Sequence, residues 1–346
     1  MRAVAVTKPG EVKIVDVPEP EPGPYQALVQ TDLAVLCNAT DAKLVAGHFP
    51  GVESYPLLLG HEGTGIVRHV GAKVRSFTVG DRAVGGLVLD PPGGAWASGW
   101  GGFCEYTLVT DHDAMVEDGV ADAAHGWAEV HEIQRRVDPD IPPAEAALLC
   151  TWREVWGGLG DFHLVPGDRV LVFGAGPVGL SFVKLGRLAG LDWIGVVDPL
   201  AQKRDKARAM GADAVLAPDD PALDALPRTL GRPLDAVVDA VGRPAIVNRA
   251  LPLVKLGGSI CIYGVLAEPS FAVEKARGPY NFNVFVHQWP TRARERAAQA
   301  PLCALVREGR LAARDFVTHE FPVERIGDAL EAVARGEVLK CLLHYT

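Results

Sequence analysis

The run Val170-Leu171-Val172-Phe173-Gly174-Ala175-Gly176-Pro177-Val178-Gly179 joins four apolar residues to the spacing G-x-G-x-x-G. The apolar part reads as a short buried strand. The residues after it, Val178–Ala189, carry a helical pattern with Gly190 placed to end it. In a strand–turn–helix of this kind Gly174 permits the tight turn, Gly176 lets backbone approach a pyrophosphate, and Gly179 lets helix pack on strand. The start of the helix, at Pro177 and Val178, then faces the phosphates. Asp198 closes the next strand run, Trp193–Val197, 19 residues after Gly179, where an acid can bond a ribose hydroxyl and repel a 2′-phosphate. The expected ligand is therefore NAD rather than NADP. A glycine-rich turn with no ligand is the alternative reading.

Working outward, Ala201–Met210 reads as helix, Asp213–Leu216 and Ala236–Asp239 as strands, Ile246–Lys255 as helix and Ser259–Tyr263 as a fifth strand. Strands alternating with helices of this length predict a parallel, doubly wound α/β sheet. Upstream, Val12–Val17, Gln26–Leu36, Gly65–Val70 and Arg82–Leu89 are short apolar or alternating runs separated by Pro and Gly, which predicts a β-rich domain. After about residue 279 come helical stretches at 301–308 and 323–335 and a last strand at 338–344. The expected layout is a β-rich domain made of 1–155 and 285–346, interrupted by an α/β domain at 156–284.

Composition narrows the function. The 346 residues are 48% hydrophobic and 22% charged, ordinary for a globular chain, and the formal net charge is −9. A net acidic chain without a Lys/Arg run is a poor partner for nucleic acid or an anionic membrane. No apolar stretch approaches a membrane span, and the apolar start is too short for a secretory signal. Six scattered cysteines do not form a disulfide framework and suit a reducing cytoplasm.

Cys37, His61 and Cys150 are candidate metal ligands: two thiolates, an imidazole and an open fourth position make a catalytic tetrahedral zinc site. They stand 24 and 89 positions apart, so spacing alone establishes nothing, and on bare chemistry core thiols with a satisfied histidine are the alternative. The segment Gly60-His61-Glu62-Gly63-Thr64-Gly65, with Gly71 and Val74, fits the signature G-H-E-x-x-G-x5-G-x2-V position by position. Through it, and through Val79-Gly80-Asp81-Arg82, Gly102-Phe103-Cys104-Glu105-Tyr106, Cys150 and the glycine fingerprint, nearly the whole chain resembles the zinc-containing alcohol/polyol dehydrogenase branch of the medium-chain dehydrogenase/reductase superfamily.

That resemblance implies a GroES-like catalytic domain closed around a Rossmann domain, and hydride transfer between an alcohol or ketone and NAD. It implies Cys37, His61 and Cys150 as ligands of one catalytic zinc, with Glu62 as the acid behind the metal that can also ligate it. Thr40 matches the hydroxyl that passes the substrate proton outward, and Val178 the contact under the nicotinamide. Lys203 matches a basic residue on the adenosine ribose. Val241, Arg243 and Val265 join the cofactor set, and Lys340 stands where the family often has an arginine against the pyrophosphate. A homodimer or homotetramer, assembled near Ser259–Val265, is the implied default.

The chain also departs from the family pattern. Cys37-Asn38-Ala39-Thr40-Asp41 is one residue longer than the usual C-x-[ST]-D. Lys43 replaces a relay histidine, leaving His48 as the nearest alternative. Cys104 is the only cysteine between 80 and 149, which predicts no structural zinc. The segment 110–141 is long enough to line an entrance or a subunit interface, or to be a surface excursion. Glu154 stands where the family often has threonine; with Arg153 it points to a polar substrate such as a polyol, sugar, cyclitol or amino alcohol, the alternative being that the two point away and pair with each other, and Trp152 is a further substrate-site candidate. Competing readings are a zinc-free quinone or enone reductase of the same superfamily and a non-catalytic cofactor-binding protein.

Overall fold

A computed structural model describes residues 1–345 and divides into two compact units. One comprises Met1–Thr151 and the chain from Gln299 onward; the other is Trp152–Ala298. The boundaries expected at 155/156 and 284/285 both fall inside the second unit. The strand Asn283–Val286 extends that unit's sheet beside Val254–Ile262. The helix Arg292–Ala297 is then tied to its own unit: the Asp161 carboxylate accepts from Thr291 N–H at 2.6 Å and pairs with Arg294 at 2.9 Å.

The second unit holds a six-stranded, wholly parallel sheet in the order Ala214–Leu216, Trp193–Val197, Arg169–Phe173, Leu234–Asp239, Val254–Ile262, Asn283–Val286. This is the Rossmann order. The winding reverses between Arg169–Phe173 and Leu234–Asp239, and the carboxyl ends of those two strands open the crevice where such sheets bind ligands. Every residue of Leu234–Asp239 is buried, as helices on both faces of a parallel sheet require. Fully buried side chains such as Leu171, Val237 and Ile260 each contribute about 1.5–3 kcal/mol. The helix expected over 246–255 is Pro244–Ala250, followed by one tight turn, Leu251–Leu253. Pro252 has no N–H to continue the helix, and the strand starts at Val254 rather than Ser259. Ala222–Thr229 is a helix that sequence reading missed because Pro227 lies within it.

The first unit is β-rich. Its larger sheet is built on the eleven-residue strand Gln26–Leu36, whose buried and part-buried residues alternate over most of its length. Three strands pair directly with it: Gly63–Val70, Tyr106–Thr110 and Lys340–His344. Register then does something the sequence order hides. Leu36 pairs with Cys341 and Ala34 with Gly63, so Cys37, Glu62 and Lys340 arrive at one end of the sheet. No helix among the described residues is long and apolar enough to cross a membrane.

Candidate functional site

Cys37 leaves the end of Gln26–Leu36, and the helix Thr40–Ala46 follows. Asp41, in the first turn of that helix, is fully buried. Its Oδ2 accepts from the Cys37 N–H at 2.8 Å, and its Oδ1 lies 3.2 Å from His61 Nδ1. Nδ1 faces that carboxylate at ion-pair distance without a formed hydrogen bond, and Nε2 lies 3.8 Å from Glu62 Oε1. One donor atom each from Cys37, His61 and Glu62 lie within 4.8 Å of one another, the only such group among the described residues. Cys150, buried in the helix Pro143–Asp161, places its Sγ 3.9 Å from the His61 carbonyl oxygen.

Glu62 is clamped. Lys340 Nζ donates to both its oxygens, at 3.0 and 2.9 Å, and the Thr151 hydroxyl donates to Oε2 at 2.7 Å. Burial alone would raise the Glu62 pKa, but the Lys340 ammonium, then His61 and Thr151, hold it below the ordinary carboxylate range. Burial likewise works against the Lys340 charge, and Glu62, then Cys37, overcome it, so its pKa is raised. The pair is ionised and almost fully buried.

These residues fit zinc. A cysteine sulfur, an imidazole whose outer nitrogen faces a buried carboxylate, and a second carboxylate are donors of the kind this ion takes; the predicted ligand Cys150 is not part of that group, its Sγ lying against the His61 carbonyl oxygen. Thr40 and Lys43 are half-buried on the helix that carries Asp41, and His48 is exposed just past its end. Trp152 and Arg153 are fully buried and Glu154 half-buried, all three on the helix of Cys150.

In the second unit the turn after Arg169–Phe173 is built of backbone. Gly174 has φ +97°, and a Cβ on it would stand 2.8 Å from Val241 Cγ2. A Cβ on Gly179 would stand 1.8 Å from the Gly174 carbonyl oxygen, whereas one on Gly176 would meet nothing within 4 Å. The turn is thus closed at its first and third glycines and open at the second, at the start of the helix Pro177–Leu188. That opening fits a pyrophosphate. Asp198 is buried and accepts from Ala175 N–H at 2.8 Å and Leu200 N–H at 2.9 Å. Val178 and Lys203 are half-buried, Val241 and Arg243 exposed, and Val265 half-buried.

Sequence reasoning missed several of these contacts. Lys340 was expected at the pyrophosphate, and its ammonium rests on Glu62 within the first unit. Asp239 accepts from the N–H groups of Val241, Gly242 and Arg243 and so shapes the second loop at the crevice. An acid closing a buried strand run was the available signal for it. Thr151 offered no signal beyond following Cys150.

Two family models match. Residues 23–117 fit the alcohol dehydrogenase GroES-like domain, and 177–285 fit the zinc-binding dehydrogenase family. An alcohol dehydrogenase of Rhizobium meliloti is 30% identical over 275 residues, 77% of either chain. A sorbitol dehydrogenase of Bombyx mori is 24% identical over 348 residues, 96% of this chain and 95% of that one. The solved structure of an alcohol dehydrogenase from Thermus sp. ATN1 superposes with a TM-score of 0.81 at 26% identity, covering 99% of both chains. With this fold and these matches, the chain belongs to the zinc-containing alcohol dehydrogenase family of the medium-chain dehydrogenases/reductases, and it is an oxidoreductase of alcohols.

Proposed function

We propose that the chain is a zinc-dependent, NAD-linked dehydrogenase of a polar secondary alcohol, such as a polyol, sugar, cyclitol or amino alcohol. The observation that carries the zinc part is the convergence of Cys37, His61 and Glu62 within 4.8 Å, with Asp41 facing the imidazole. Cys37, His61 and Cys150 would hold one Zn2+, and Gly174–Gly179 with Asp198, Lys203, Val241, Arg243 and Val265 would hold NAD. Zinc would supply Lewis-acid polarisation of the alcohol oxygen, and NAD+ would accept the hydride.

The chain's own residues do the rest. Asp41 stands 3.2 Å from the outer imidazole nitrogen of His61 and favours the ring orientation that turns Nε2 toward Glu62. Lys340 and Thr151 hold Glu62 in its ionised form beside the ligands. Thr40 passes the alcohol proton outward, ending at Lys43, at His48 or in solvent. Asp198 disfavours a ribose phosphate and so selects NAD. Glu154 bonds further substrate hydroxyls. Likeness to a sorbitol dehydrogenase over nearly the whole chain supports a polyol. A homodimer or homotetramer in a reducing cytoplasm belongs to the same reading, and size-exclusion chromatography with light scattering tests the assembly.

Elemental analysis combined with reduction of NAD+ and NADP+ over a panel of alcohols, polyols and cyclitols tests the whole reading. The expected result is one zinc per chain, a preference for NAD+ and turnover of at least one polyol. Undiminished turnover by metal-free protein overturns the zinc assignment; a preference for NADP+ overturns the role given to Asp198.

A further inference from the structure

The stretch Gly99-Trp100-Gly101-Gly102 lies flat along Leu58–Gly60, the residues leading into His61. Gly99 and Gly101 N–H both donate to Leu58 O, at 2.8 and 3.2 Å, and Gly102 N–H donates to Gly60 O at 2.6 Å. The approach is too close for side chains. A Cβ on Gly99 would stand 2.6 Å from Leu57 Cδ1, one on Gly101 2.8 Å from Val88 Cβ, and one on Gly102 2.9 Å from Gly60 O. Trp100 is therefore the one large side chain that this stretch carries. It has φ +69°, the left-handed region that bulky residues avoid. Backbone held there persists only when its surroundings impose it, and such positions gather at functional sites.

The indole lies beside the His61 ring. Its ring centroid lies 5.7 Å from that of His61, and Phe49 meets it edge-on at 5.4 Å and 86°. All three rings are only partly buried. A tryptophan serving the core alone could sit deeper and without strain. This one backs onto Phe49, packs against the edge of the first unit's core and is still only part-buried.

We propose that Trp100, backed by Phe49, is a specificity-determining residue of the alcohol site, offering an aromatic surface beside the metal ligand on which the C–H face of a ring-shaped alcohol lies. A cyclic polyol has such a face and carries its hydroxyls at the rim, so the inference deepens the polar-alcohol reading and rests on His61 as a metal ligand. Aromatic surface favours a flat apolar face over a flexible chain because the ring has less conformational freedom to lose and more area to bury.

The test compares trans-cyclohexane-1,2-diol with butane-2,3-diol, two vicinal secondary diols that differ in the ring. In the zinc-loaded protein Trp100→Ala should lower kcat/KM for the cyclic diol by about tenfold, chiefly through KM, and change the linear one by less than about threefold. Trp100→Phe should retain most of the preference. A second readout needs no turnover: the visible spectrum of the Co2+-loaded protein is titrated with the cyclic diol, whose dissociation constant should rise by about tenfold in Trp100→Ala. If that variant does not fold, Trp100→Gly, which the left-handed backbone accepts without strain, takes its place. Equal losses on both diols, a Trp100→Phe variant as impaired as Trp100→Ala, or an unchanged dissociation constant overturns the proposal while leaving the metal assignment standing. A wild-type chain that takes up no Co2+ overturns both.

Discussion

The glycine turn of the second unit and the candidate metal-binding cluster of the first are both small sites, and they are made in opposite ways. The turn occupies ten consecutive residues, 170–179, and its working parts are backbone: a φ of +97° at Gly174, a carbonyl under Gly179 and open space at Gly176. The cluster draws side chains from positions 37, 41, 61, 62, 151 and 340, and the pairing of Leu36 with Cys341 and of Ala34 with Gly63 brings several of them together. A site of the first kind is vulnerable to added volume. A site of the second kind is vulnerable to changed chemistry.

That contrast is open to breaking, and the largest expected effect is at the candidate metal site. Cys37→Ser, or a strong chelator, should abolish turnover while leaving NADH binding, read by nicotinamide fluorescence, essentially unchanged; retained turnover would erase the difference between the regions. Next comes the buried ion pair. Lys340→Met leaves Glu62 charged and unpaired in the interior and should destabilise the first unit by about 3–5 kcal/mol in denaturant unfolding. Adding Glu62→Gln should recover most of that loss, and a double variant no better than the single one would show that Lys340 acts through packing instead.

The glycine turn should respond to volume alone. A methyl group on Gly179 falls 1.8 Å from a carbonyl oxygen, so Gly179→Ala should cost about 3 kcal/mol of stability. Gly176→Ala points into open space and should leave the melting temperature nearly unchanged while weakening NADH by about tenfold. Equal stability losses for the two would refute the closed-and-open description of the turn.

The smallest effect separates the units by pH. Asp111 in the first unit accepts from the N–H groups of Arg75, Ser76 and Ala114 and from the Ser76 hydroxyl. Burial pushes its pKa up, but these bonds outweigh it and the pKa is lowered. Its contribution is therefore complete above the unfolded value, about 3.9, and disappears as pH falls through the lower folded value. Asp111→Asn should be destabilised by about 1–2 kcal/mol at pH 7, with the gap to wild type narrowing on acidification below about pH 4. Asp239 in the second unit also accepts three backbone N–H bonds, yet burial dominates and its pKa is raised. Its contribution has the opposite sign: present at low pH and lost as pH rises through the folded value. A gap at Asp111 that stays constant with pH would remove this distinction.

How much was legible follows from the same physics. The strand Arg169–Phe173, the helix beginning at Pro177 and the glycine roles were readable because each rests on neighbours a few residues away. The boundary between the compact units is hard to read from sequence because the helix Pro143–Asp161 runs through it, and the ties from Asp161 to Thr291 and Arg294 are long in sequence. The helix ending before Pro252 was overrun because an apolar run signals burial without saying which element is buried. At the candidate metal site, resemblance names Cys37, His61 and Cys150, while the side chains around them, Asp41 facing the imidazole and Lys340 with Thr151 on Glu62, are seen only in the fold.

Read alone, the chain determined its fold class, the doubly wound sheet and the glycine turn, because local periodicity and backbone freedom are properties of neighbouring residues. Tertiary structure alone decided that an ammonium 278 positions from Glu62 would neutralise it, and that a strained indole would stand beside His61. Strand register and close backbone packing set those meetings, and neither is written in the spacing of the residues that meet.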